Sequence, residues 1–236
     1  MIETALVFAG GALAGMGVSR LVRGKTYTEK HAANILETQK RHILTIEDPI
    51  EFEFNHTQNS IIHQREVKRD TKSFTSALKA ALREDPDIIY IGEMRDLETI
   101  QLAITAAETG HLVLGTLHTS SASKTVERIV DVFPADQQEQ ARLQVSTSLA
   151  GIMSQTLCRN KVGKRSLAYE LLINTPAISN LIRERKVSQI YSQLQTGSND
   201  GMNTLEQCLQ KLIDDNKISL KEGLGKASNP KAIIQS

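Results

Sequence analysis

The chain has 236 residues, 40% hydrophobic and 23% charged, with a net charge of +1. That is enough for one large globular domain or two small ones, and it provides no global field toward nucleic acid or acidic lipid. Cys158 and Cys208 lie far apart without CxxC spacing, so neither a disulfide framework nor a zinc ribbon is implied and a reducing cytoplasm fits. No tryptophan and 4% aromatic content argue against a base-stacking platform.

Residues 5–18 are apolar, rich in glycine and alanine, and followed by Arg20 and Arg23. The run is short for a membrane span of about 20 residues and lacks the basic leader of a signal peptide. Three readings stay open: a strand and turn of the fold, a marginal membrane anchor, or sequence foreign to the domain behind it. From Arg41 onward strand and helix alternate. Residues 43–47 form a continuous apolar strand and 60–64 a second, short one. Residues 73–83 are a helix with Phe74, Ala77, Leu78, Ala81 and Leu82 on one face. Pro86 ends it, and 87–91 return as a strand. Asp96 caps the next helix, whose face is Ile100, Ala103, Ile104 and Ala107, and Gly110 closes it. Residues 112–117 are again a strand. Such alternation indicates an α/β fold with a mainly parallel sheet, covered on both faces.

Beyond Ser120 the pattern predicts helices over 121–132 and 135–153 and a strand over 167–173. Past Thr175 it predicts helices only, over 177–183, 187–194 and 204–214, with a glycine-rich turn at 196–201 and a frayed tail from Gly225. The expected organisation is an atypical N-terminal segment (1–40), an α/β core (41–175) and a C-terminal helical region (176–236).

Three segments carry chemistry, each an apolar strand ending in a carboxylate or a histidine. Glu93 follows strand 88–91 and one glycine. A carboxylate there faces the crevice where open parallel sheets bind ligands, and it can hold a magnesium ion or take a proton from an attacking water. Glu47 and Asp48 end strand 43–47, and Pro49 keeps Asp48 extended; two such acids suit water positioning and metal binding. His118 ends strand 112–117 and can donate to a terminal phosphate and report its loss. All three are expected to converge on one pocket. His111, at the other end of that strand, reads as structural or as a subunit contact. Arg65, Arg69, Arg83 and Arg95 lie in the same segments, and arginine forks suit phosphate oxygens. Solvated turns and surface arginines are the ordinary alternative for each residue alone; the co-occurrence of the three strand ends lowers it.

The phosphate cradle of such a site has the pattern G-x-x-x-x-G-K-[ST], in which the lysine neutralises phosphate and the hydroxyl meets the metal. Here Gly24, Lys25 and Thr26 fit its end, but Ser19 stands at the first glycine, with Leu21 and Val22 inside the loop. Residues 11–19 are a rival, with Val18 in the lysine position.

These motifs resemble the PilT family of type IV pilus retraction (twitching-motility) ATPases, within the secretion ATPase superfamily. The resemblance covers residues 41 to about 230. Thr45-Ile46-Glu47-Asp48-Pro49-Ile50-Glu51-Phe52 matches that family's Asp box. Leu82-Arg83-Glu84-Asp85-Pro86-Asp87 leads into its Walker B, ending Gly92-Glu93-Met94-Arg95-Asp96. Thr105-Ala106-Ala107-Glu108-Thr109-Gly110-His111 runs into its His box. Ala177-Ile178-Ser179-Asn180-Leu181-Ile182-Arg183-Glu184 is similar to its retraction motif, with Ser179 where the family has arginine.

The resemblance implies a RecA-like core, ATP and Mg2+ as cofactors, a hexameric ring, and an inner-membrane platform protein of the pilus as partner. It places the chain in the cytoplasm, peripheral at the inner membrane, with neither nucleic acid nor zinc. Glu93 becomes the catalytic carboxylate, Glu47 a second acid and His118 a phosphate sensor; Gly24, Lys25, Thr26, Arg65 and Arg83 contact nucleotide, and Glu93, Asp48 and Thr26 the metal. The missing tetracysteine module points to the retraction branch. Two departures remain: the family's PAS-like N-terminal domain is not found, and the cradle is degenerate. They make diverged or truncated sequence the expectation for the first forty residues.

Overall fold

The computed structural model describes the backbone of residues 3–9 and all of residues 40–54 and 60–234. The described residues divide between two compact units, one within 6–117 and 129–150, the other within 118–128 and 151–234 together with the start of the first strand. That strand, β1, is Glu3–Ala9. It meets the strand reading for residues 5–9; the remainder of 10–39 lies outside the described residues. Among the described residues no helix is long and apolar enough to cross a membrane.

The first unit is built on four parallel strands, β2 (His42–Glu47), β3 (Ile61–Glu66), β4 (Ile88–Ile91) and β5 (Leu112–Leu117), hydrogen-bonded in the order β3-β2-β4-β5. Ile43, Leu44, Ile46, Ile89, Ile91 and Val113 are fully enclosed. Continuous β-branched runs suit a strand buried on both faces, because neither side needs a polar residue. Helix α1 (Phe74–Ala81) starts at Ser73, whose hydroxyl accepts the Ser76 N–H while the Ser76 side chain returns to the Ser73 backbone. Helix α2 (Leu97–Glu108) is capped by Asp96, which accepts Thr99 N–H at 2.8 Å. Gly110 follows it at φ 107°, the left-handed position that ends the helix without a Cβ clash. Leu78 and Ala81 of α1, with Ile100, Ala103, Ile104 and Ala107 of α2, supply the buried helical faces. The parallel ladder and its helices are a RecA-like α/β arrangement.

Helix α3 (Ala122–Asp131) and strand β6 (Leu149–Arg159) each contain a unit boundary, and α4 (Gln138–Ser148) belongs to the first unit. In the second unit β6 pairs antiparallel with β7 (Arg165–Ile173), from Gly151 opposite Ile173 to Arg159 opposite Arg165. Helices α5 (Pro176–Arg183), α6 (Ile190–Thr196), α7 (Leu205–Asp214) and α8 (Leu220–Lys226) follow. Cys158, Ala168, Leu205, Leu209, Leu212, Ile218 and Ile233 form one apolar cluster there.

Two expectations fail in this half. The helix predicted over 135–153 stops at Ser148, and Leu149–Arg159 is an eleven-residue strand. A short apolar run such as Leu149-Ala150-Gly151-Ile152-Met153 has no periodicity that separates helix from strand; pairing with β7, remote in sequence, decides it. The frayed tail is also overturned. Residues Pro230–Ala232 form a 3-10 turn, Ile233 is 3% exposed, and Ile234 N–H donates to Gln210 Oε1 at 2.9 Å. A single buried isoleucine among polar residues leaves no periodic signal.

Candidate active site

In a parallel sheet all C-terminal strand ends share one rim. Ile46 of β2 stands opposite Ile91 of β4, and Ile91 opposite Gly115 of β5, so the residues after them meet there. Gly92 N–H donates to Ile46 C=O at 2.7 Å, and Met94 N–H to Thr116 C=O at 3.0 Å. The Thr116 hydroxyl closes the turn by donating to Gly92 C=O. Glu93 therefore sits on a loop tied to β2 on one side and to β5 on the other.

Two glycines make this approach possible. A methyl placed on Gly92 would lie 3.1 Å from Ile46 O and 3.3 Å from Glu47 Cα. One placed on Gly115 would meet the buried Met94 side chain at 2.8 Å, so Gly115 leaves the space that Met94 fills beside Glu93.

Glu47 is 5% exposed, an expensive position for a carboxylate without partners. Thr45 Oγ1 donates to its Oε1 at 2.6 Å and Gln64 Nε2 donates to the same oxygen at 3.1 Å. Both partners follow from strand geometry: Thr45 lies two residues before Glu47 on the same face, and Gln64 is the register partner of Thr45 on β3. Gln64 also receives Phe54 N–H at 2.9 Å and donates to Phe52 C=O at 2.9 Å, which fixes the extended segment after Asp48. Sequence reasoning missed both residues; the i, i+2 spacing from Thr45 to Glu47 would have exposed one of them.

Glu93 pairs with Arg95 at 2.5 Å. Arg95 also feels the charge of Asp48, and together the two acids hold its guanidinium above its ordinary range, the Glu93 hydrogen bond most of all. Asp48 has a second, looser cation in Lys68 at 3.8 Å. The structure thus brings Glu47, Asp48, Glu93 and Arg95 to one rim.

The other candidates lie elsewhere. The Arg65 guanidinium donates to both oxygens of Glu84 at 2.9 and 2.7 Å. Glu84 precedes β4, at the end of that strand opposite Glu93, so Arg65 is directed away from the rim. Arg83 is exposed just past α1. Arg69 is engaged by Asp70 and Glu66. His111 Nδ1 lies 3.0 Å from Ala106 C=O and 3.2 Å from the Thr109 hydroxyl, a structural placement at the end of α2. His118 is exposed and belongs to the second unit, so the expected three-way convergence is described only for Glu47 and Glu93. Gly24, Lys25 and Thr26, and the rival loop 11–19, lie outside the described residues.

Hard oxygen donors such as Asp48 and Glu93 suit Mg2+ held partly through water. That the two share one solvent-facing guanidinium fits a cation site. Among the described residues no group of three or more His, Cys, Asp or Glu is gathered as a full donor set, so any metal here would draw further ligands from water or phosphate.

The chain is 56% identical over 193 residues to the type IV pilus retraction ATPase PilT of Pseudomonas aeruginosa, covering 82% of this chain and 56% of that one. It is 52% identical over 212 residues to a twitching motility protein of Neisseria gonorrhoeae, covering 89% and 56%. Its fold is similar to a crystal structure of the pilus retraction motor PilT with bound ADP, at a TM-score of 0.79 and 53% identity over 85% of this chain and 57% of that one. The chain thus spans little more than half the length of the relatives it matches. The sequence model of the Type II/IV secretion system proteins matches residues 23–220, and the chain belongs to that family.

Proposed function

We propose that the chain is an ATP-hydrolysing motor subunit of type IV pilus retraction. The observation that carries this reading is the rim itself: Glu47, buried and held by Thr45 and Gln64, next to Glu93 on a loop fixed between β2 and β5. In this reading Glu93 orients the attacking water and takes its proton. Glu47 is a fixed second acid that keeps the water in line, and its two donors prevent it from swinging away. Asp48 and Glu93, with the Thr26 hydroxyl, would hold Mg2+, which when bound neutralises charge on the transferred phosphate. Gly24 and Lys25 would cradle the phosphates, and His118 would sense the terminal phosphate. The similarity to proteins named as pilus motors supports a ring of copies, a hexamer by analogy, that works in the cytoplasm against an inner-membrane platform protein.

Steady-state phosphate release by the purified chain tests this. Replacing Glu93 with Gln keeps the shape and removes the base, and the rate is expected to fall by about 10²–10⁴-fold. Equal rates for wild type and Glu93→Gln would end the reading.

A second reading is favoured by the cradle sequence: an impaired homologue that assembles with or regulates an active pilus ATPase. Ser19, Leu21 and Val22 replace the freedom that backbone wrapping of phosphate uses. Titration with ADP separates the two readings, since failure to bind at millimolar concentration leaves only the second.

A further inference from the structure

The function proposed above leaves two buried acids without a role, Glu170 on β7 and Glu206 at the start of α7, 6% and 3% exposed. Both are in the second unit, and each has specific partners. Glu170 Oε1 accepts Ala122 N–H at 2.7 Å, a bond wholly inside the protein. Ala122 opens α3, so this N–H is one that the helix itself leaves without an acceptor, and a carboxylate there also meets the positive end of the helix dipole. The same turn is closed by Ser121. Its hydroxyl accepts Lys124 N–H at 3.3 Å, and its carbonyl accepts the Thr125 hydroxyl at 2.8 Å. Thr119 and Thr125 join hydroxyl to hydroxyl at 2.6 Å. The segment that begins at His118 is therefore tied at Thr119, Ser121 and Ala122, and the Ala122 tie comes from another element.

Glu206 is held by other elements of the same unit. Its Oε1 accepts Asn229 N–H at 2.9 Å and its Oε2 accepts the Tyr191 hydroxyl at 3.3 Å. Its charge reaches Glu170, while Ser154 of β6 is the register partner of Glu170.

We propose that Glu170 is a positioning residue for the His118 segment. It fixes the first turn of α3 by accepting the Ala122 N–H. The inference rests on the reading of His118 as phosphate sensor. The titratable group acting on Glu170 is Glu206 from α7, and the charge of Glu170 in turn helps to raise the Tyr191 hydroxyl, which burial raises most. Burial raises the Glu170 carboxyl, the Ala122 bond opposes this, and Glu206 adds to the rise.

The test uses the full chain with Glu170→Ala and Glu170→Gln. Alanine removes the acceptor; glutamine keeps an acceptor oxygen and removes the charge. In phosphate release, Glu170→Ala is expected to lower kcat about tenfold with KM within about twofold, and Glu170→Gln to restore most of the loss near pH 7. Independently of catalysis, the Ala122 amide resonance of 15N-labelled wild type is expected to titrate with Glu170, and to be flat in Glu170→Gln. Hydrogen exchange should rise in residues 118–126 of Glu170→Ala and stay unchanged in β2 and β4. A uniform rise across both units, or an Ala122 resonance indifferent to residue 170, would overturn the proposal. If wild type is no faster than Glu93→Gln, the hydrolysis reading fails, and the resonance and exchange arms still decide the positioning claim.

Discussion

The two pairs of acids in this chain solve opposite problems. At the rim of the first unit, Glu93 is delivered by a strand end to a place where one guanidinium at 2.5 Å and solvent share its charge. In the second unit, Glu170 and Glu206 are enclosed and depend on backbone N–H groups and a tyrosine hydroxyl, while the charge of Glu206 works against that of Glu170. Glu47 stands between these cases: as buried as Glu206, yet on the rim, and satisfied by neutral donors from β2 and β3. An acid that must meet a ligand needs a fixed position and an open face. An acid that ties elements together needs its acceptor oxygens filled. The difference predicts how each region fails.

The largest effect is expected from closing the space on which the rim depends. In Gly92→Ala the new methyl meets Ile46 O and Glu47 Cα at 3.1 and 3.3 Å, backbone atoms of a buried strand that cannot rotate aside. Overpacking of this kind costs about 1–3 kcal/mol, and here it also displaces Glu93 and Glu47 relative to each other. Urea unfolding should show that loss, and phosphate release should fall further than stability alone would require. A variant destabilised but with unchanged kcat would show that the close approach matters for folding only.

This contrast also explains what could be read from the sequence. The rim was legible because its information is local. Each of 43–47, 88–91 and 112–117 is a short, mainly apolar run with a carboxylate or histidine at or just past its end. The caps at Asp96 and Gly110 were local too. The holders of Glu47 were half legible: Thr45 by i, i+2 spacing, Gln64 only once the register between β2 and β3 is known. The Glu170 couple was not legible, because Ala122, Glu170, Tyr191, Glu206 and Asn229 are spread over more than a hundred positions and meet only in the fold. Residues 149–153, the start of β6, read as the end of a helix for the same reason, since the partner β7 pairs with 151–159 only in the fold. Arg65 shows the reverse error: a residue right for phosphate by type, whose fork goes to Glu84 nineteen positions away.

The next effect separates buried charge from buried acceptor. The folded protein raises the Glu170 carboxyl above its ordinary value, chiefly by burial. A proton is then bound more tightly in the folded than in the unfolded state. The stability this contributes is fully present below the ordinary carboxyl range and is lost as pH rises through the raised folded value. Glu170→Gln has no proton to lose. Its stability relative to wild type should therefore improve as pH climbs through that window and level off above it. Urea midpoints at a series of pH values check this. A difference that stays constant with pH would mean that the Ala122 bond and the helix end already offset the cost of burying the charge.

The smallest effect is expected at the shortest ion pair. Arg95 lies 2.5 Å from Glu93, closer than Glu170 lies to Ala122 N–H, yet its side chain is 71% exposed. Water and salt screen such a pair, and holding a long side chain in place costs entropy. Arg95→Ala should leave the urea midpoint within experimental scatter at physiological salt, with a loss emerging only as salt is withdrawn. If distance ordered these energies, Arg95→Ala would be the more damaging change of the two; if enclosure orders them, Glu170→Ala will be, at every salt concentration. Measuring both variants in one salt series decides which property of the rim matters: its acids are usable by a ligand only if the guanidinium beside them can be displaced at little cost.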